Sequence, residues 1–103
     1  MPIFGHKGQL DIPPVAKRDG AGVEIARVWA AEGAQHVSLR PDIWEDPFAW
    51  GIMLADFAQH VTNAYEQLEG RDRDEALRRI REGLDAELDG PTDEVTGSVD
   101  EAT

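Results

Sequence analysis

Trp50, Leu54, Phe57, Val61, Ala64 and Leu68 follow one another at alternating intervals of four and three residues. That spacing lines one face of an α-helix. Met53, Ala58 and Tyr65 widen the stripe, so the face is broader than a thin seam against one partner. Asp56, Gln59, Asn63, Glu66 and Gln67 fall mostly on the other side. Both ends are marked. Asp46 suits an N-cap, because its carboxylate can accept from an orphan backbone N–H of the first turn. Pro47 follows it and has no N–H to lose there, and it turns Asp46 away from helical backbone angles. Gly70 is a natural stop. The pattern predicts a helix over 47–69, roughly 34 Å long at 1.5 Å per residue. Gly51 in its second turn costs about 1 kcal/mol relative to Ala. Close approach of another backbone is one reason to keep it, and chance is another.

The flanking segments are expected to pack on this helix. Val23, Ile25 and Trp29 alternate with Glu24, Ala26 and Ala30, and Val, Ile and Trp suit a pleated surface. Arg27 interrupts the apolar side, and Ile25, Val28 and Trp29 would also share a helical face. Glu32-Gly33 then makes a turn before 35–40, where Val37 and Leu39 point one way and His36 and Ser38 the other. The reading is a β-hairpin. After Gly70, Asp72 caps a second helix, with Glu75 as its capping-box partner. Leu77, Ile80, Leu84 and Leu88 form its stripe, and Gly90-Pro91 ends it. Asp74–Arg78, Glu75–Arg79 and Arg78–Glu82 are helix neighbours that add a few tenths of a kcal/mol each at most.

The fold class is therefore α+β: an antiparallel β-hairpin packed on a long helix and a second antiparallel helix. Residues 1–9 read as a flexible arm, 10–90 as a single domain and 91–103 as a disordered acidic tail. Within the domain, residues 10–15 read as an extended segment pinned by Ile12 and Val15.

Charge and composition exclude several functions. The 103 residues carry a formal net charge of −11, which repels nucleic acid and anionic membrane surfaces. No cysteine is present, so there is no disulfide, thiol nucleophile or cysteine metal site. No run approaches the ~20 apolar residues of a membrane-spanning helix. Met1-Pro2-Ile3-Phe4 lacks the basic region and apolar core of a signal peptide. The expectation is a cytoplasmic protein with no nucleic-acid or membrane partner.

The candidate site is the connection before the long helix. A hydrophobic residue ahead of an N-cap packs back on the first turn, which gives Ile43 and Trp44 a structural role. Arg and Trp are also enriched at binding hot spots, so Arg40, Trp44, Glu45 and Trp50 form a candidate recognition surface. Other constellations are weaker. Asp56 and His60 are four apart on one helix, with His36 on the hairpin as a third candidate, but zinc wants three or four dedicated ligands. Asp42, Glu45 and Asp46 are near-neighbour carboxylates, yet capping and the helix dipole already account for them. Arg71, Arg73, Arg78, Arg79 and Arg81 alternate with acids and make no uncompensated basic patch. Gly20-Ala21-Gly22 lacks the third glycine and the preceding strand of a phosphate loop. No catalytic residue, metal or cofactor is expected.

The run Val37-Ser38-Leu39-Arg40-Pro41-Asp42-Ile43-Trp44-Glu45-Asp46-Pro47, with Ala49-Trp50-Gly51 after it, resembles the signature of a small family of proteobacterial proteins catalogued as a domain of unknown function. The resemblance covers roughly residues 10–70, about the extent of one small domain. It implies a compact α+β domain with no assigned activity. The leading functional expectation is a non-enzymatic protein-interaction or regulatory module that self-associates as a homodimer. About 70 residues make a marginal core, and a lone hairpin leaves both edges open. The competing view is a monomer in which residues 10–16 add a third strand. The alternative function is a small-molecule-binding or enzymatic domain using the Arg40–Trp50 region with His36 or His60.

Overall fold

A computed structural model describes residues 6–90 and the backbone of 96–99. The expectations for residues 1–5, 91–95 and 100–103 lie outside the described residues. The order of elements is helix α1 (Pro14–Arg18), strands β1 (Ala26–Ala31) and β2 (Ala34–Leu39), a 3-10 turn (Pro41–Ile43), helices α2 (Phe48–Glu69) and α3 (Arg73–Asp89), and strand β3 (Thr96–Val99). The fold class is α+β.

The first difference from the sequence reading is α1. The chain is extended at Pro13, with φ −56° and ψ 141°, and Pro14 then opens a helical turn. A proline's fixed φ serves the first turn of a helix as well as an extended chain. Ile12 and Val15 are both exposed rather than pinned.

The hairpin forms where the turn residues place it. Glu32 and Gly33 both have positive φ, 52° and 76°, the requirement of a two-residue type I′ turn, whose twist matches that of the flanking strands. The register pairs Val28 with Val37 and Ala26 with Leu39, and Trp29 with His36 and Arg27 with Ser38. Directly paired residues share a face, so the apolar face holds Ala26, Val28, Val37 and Leu39. Trp29 lies on the other face with Arg27, His36 and Ser38. This resolves the intrusion of Arg27: its face is the polar one. The His6 ring stacks at a tilt 4.8 Å from the Trp29 ring.

Strand β3 pairs with β2 in parallel, giving the order β1-β2-β3. Parallel neighbours need a long crossover, and α2 and α3 supply it. The sequence reading put no strand at 96–99, because the segment is short and its surroundings are acidic and poor in apolar residues.

Helix α2 starts as its sequence dictates. Asp46 Oδ1 accepts from the Phe48 N–H at 3.0 Å, and Pro47 already has helical angles, φ −55° and ψ −20°. At the other end Gly70 is left-handed, φ 68° and ψ 21°, and its N–H donates to the Glu66 carbonyl. The Arg71 N–H adds a bond to the Tyr65 carbonyl at 3.4 Å, so two of the last carbonyls of α2 are satisfied behind the left-handed glycine. Asp72 accepts from the Glu75 N–H at 3.0 Å and starts α3. Only half of the capping box forms, because the Glu75 carboxylate turns to Arg78 instead. Arg78 in turn bridges to Glu82, which also holds Arg79.

Close packing between helices is concentrated where α2 meets α3. Among the described residues only Thr62 of α2 and Ala76 of α3 are buried. Thr62 Oγ1 donates to the Ala58 carbonyl within its own helix. Arg73 spans the two helices, donating to Asn63 and Gln59 and lying near Glu66. A methyl group at Gly51 would meet nothing within 4 Å, so among the described residues no backbone closes on that glycine. Several large apolar residues of α2 stay at the surface, with Leu54 50%, Phe57 55% and Leu68 84% exposed.

Candidate functional site

The connection from β2 to α2 is built by four local preferences. Arg40 is extended, with φ −106° and ψ 92°, and Pro41 opens the 3-10 turn after it. Trp44 returns to extended angles, φ −128° and ψ 133°. Asp46 and Pro47 then start α2. Two anchors hold the segment. The Arg40 N–H donates to the Ile25 carbonyl at 3.0 Å, and its Nε donates to the Glu24 carbonyl at 3.0 Å. The Trp44 and Trp50 rings meet edge to face, with centroids 5.1 Å apart and planes at 80°. Such a pair is worth about 0.5–1.5 kcal/mol beyond its buried area. The tryptophans thus bracket the Asp46-Pro47 cap and fix the angle at which the chain enters the helix.

The structure therefore brings Trp44 and Trp50 together and ties Arg40 to the segment before β1. All three are half-buried, while Glu45 is exposed. Sequence reading missed Glu24 as a partner of Arg40. The bond goes to a backbone carbonyl 16 residues away, and a carbonyl carries no side-chain signature.

A cavity beside Arg40, lined by residues 24–27 and 38–40, measures about 60 Å3. That is room for a water or two, against the several hundred Å3 of a typical small-molecule site.

The other sequence candidates are dispersed. His60 Nε2 lies 3.5 Å from Asp56 Oδ2, and both side chains are well exposed. The His36 ring lies 3.2 Å from the Ala31 carbonyl at the end of the hairpin. Asp46 is engaged as a cap. Among the described residues no group of three or more His, Cys, Asp or Glu is placed to hold a metal ion. Among them, too, no helix is long and apolar enough to cross a membrane. The arginines of α3 are matched by acids, as Arg78 with Glu75 and Glu82 shows.

The fold and this connection define a small α+β domain with a tryptophan-braced helix entry. The chain belongs to the DUF5076 family, a domain of unknown function, which matches residues 9–92. A solved structure, described as "a putative pyruvate dehydrogenase from the photosynthetic bacterium Rhodopseudomonas palustrus CGA009", is similar over almost the whole of both chains. It shares 33% identity, with 98% of this chain and 99% of that one covered and a TM-score of 0.68. Comparison with curated proteins gives no match.

Proposed function

We propose that this protein is a non-enzymatic interaction module, of a regulatory rather than catalytic kind, that self-associates as a homodimer in the cytoplasm. One observation carries the reading: the described residues bury two side chains, Thr62 and Ala76, while apolar residues along α2, α3 and β1 stay exposed. An 11.4 kDa chain needs a fuller core than that to hold its fold alone, since small domains are marginal even when well packed. Arg40, Trp44, Glu45 and Trp50 are the proposed recognition surface for a protein partner, with the tryptophan pair as a rigid anchor. Sedimentation equilibrium at micromolar concentration tests the self-association. A mass near twice 11.4 kDa supports it, and a monomer mass that does not rise with concentration refutes it.

A second reading has one observation in its favour, the description of the solved relative as "a putative pyruvate dehydrogenase". On that reading the Arg40–Trp50 region, with His36 or His60, binds a small oxo acid. Titration with pyruvate, read by the fluorescence of Trp44 and Trp50, tests it. A saturable change that Arg40→Ala removes supports this alternative.

A further inference from the structure

We infer that the Leu54–Phe57–Val61–Leu68 face of α2 is the surface on which two copies of this chain meet, α2 against α2, about a two-fold axis. The inference rests on the self-association reading above and adds the surface that performs it.

The two flanks of α2 differ in chemistry and in exposure. Thr62 is the one buried residue of α2 among those described. Residues advance about 100° each round an α-helix. Gln59, Asn63 and Glu66, the three that Arg73 of α3 approaches, lie about 40–100° to one side of Thr62. Leu54, Phe57, Val61 and Leu68 lie about 80–140° to the other side. Arg73 thus reaches the polar flank, while Leu54, Phe57 and Leu68 on the stripe stay at least half exposed and Val61 is half-buried. An amphipathic helix whose own chain completes its core would bury all four.

The chemistry of the stripe selects a second copy as the occupant. No charged residue falls on the face running from Trp50 through Leu68. A chain with a net charge of −11 repels its own copy everywhere else. A two-fold interface sets each patch against the same patch, so only an uncharged apolar patch is self-complementary here. A basic partner would instead be drawn to the acidic surfaces that flank the stripe.

Length suits the same occupant. The stripe from Leu54 to Leu68 is about 21 Å long, ample for two helices to cross.

The absence of cysteine from the chain makes the test clean, since a single introduced cysteine is the only thiol. Leu54→Cys, Phe57→Cys, Val61→Cys and Ala64→Cys are oxidised mildly, alongside Asp56→Cys and Leu88→Cys as positions off the stripe. Disulfide-linked dimer is expected for at least one stripe position and for neither control. In parallel, Phe57→Asp should weaken the dimer by about 30-fold or more, the loss of a hot-spot residue, with its helical circular dichroism checked for folding. Dimers that persist in a folded Phe57→Asp, or cross-linking at Leu88→Cys but nowhere on the stripe, overturn this surface and leave the self-association reading standing. A wild-type chain that is monomeric at every concentration overturns both, and means that the stripe is covered within the chain or by a different protein.

Discussion

Gly83→Ala and Gly51→Ala form a matched pair that tests how the helices are packed. Each glycine sits inside a helix, Gly51 in α2 and Gly83 in α3. Neither has a positive φ, and a Cβ built on either meets nothing within 4 Å. No clash offsets the gain in helix propensity, so each substitution should stabilise the protein by about 1 kcal/mol. For a chain of this size that is about 4–8 °C in melting temperature. The two gains should add if the sites are independent. Urea unfolding at one fixed protein concentration reads the effect, since the stability of an associating protein depends on concentration. The midpoint should rise without a change in slope. A loss at Gly83 would refute the open space beside α3. A gain at Gly83 with a loss at Gly51 would be more informative: a partner's backbone then occupies the space that this chain leaves empty at the second turn of α2.

Three further outcomes are expected. Glu32→Asn should stabilise the hairpin by up to about 1 kcal/mol, because Asn tolerates the positive φ that Glu32 adopts at 52° at less cost; thermal unfolding checks it, and an unchanged or lower midpoint counts against the I′ turn. Asp72→Ala should cost about 1 kcal/mol, since its carboxylate accepts from the Glu75 N–H at the start of α3, and Asp72→Asn should restore most of it. The Glu82 carboxyl is held below its ordinary range by the hydrogen bond from Arg79 and by the charges of Arg78 and Arg79, against desolvation. A depressed carboxylate contributes stability above its unfolded pKa and loses it as pH falls through the folded one. The gap in melting temperature between wild type and Glu82→Gln should therefore be small at neutral pH, close on acidification, and shrink in 1 M salt, where the Debye length is about 3 Å. A gap that survives at low pH would show that Glu82 acts through packing.

The elements with local causes were legible in the amino-acid order. Asp46-Pro47 and Gly70 delimit α2 because a capping carboxylate, a proline without an N–H and a left-handed glycine act within one turn. Glu32-Gly33 makes the hairpin because two adjacent residues take positive φ. The tryptophan-braced entry to α2 was half legible: Trp44 was placed as a staple ahead of the cap, while its edge-on meeting with Trp50 and the bond from Arg40 to the Glu24 carbonyl needed the fold. Other features depended on long-range partners. The face of Trp29 was decided by the register with β2, which pairs Val28 with Val37 and sends Trp29 to the side of His36. Strand β3 exists through its parallel pairing with β2, and its own residues carry no strand pattern. The direction of α3 was the largest decision left to the tertiary structure. Periodicity states how wide the apolar face of α2 is, but a helix period is blind to which flank a neighbour takes. Arg73 reaches Gln59 and Asn63 beside Thr62, and Phe57 and Leu68 are left exposed.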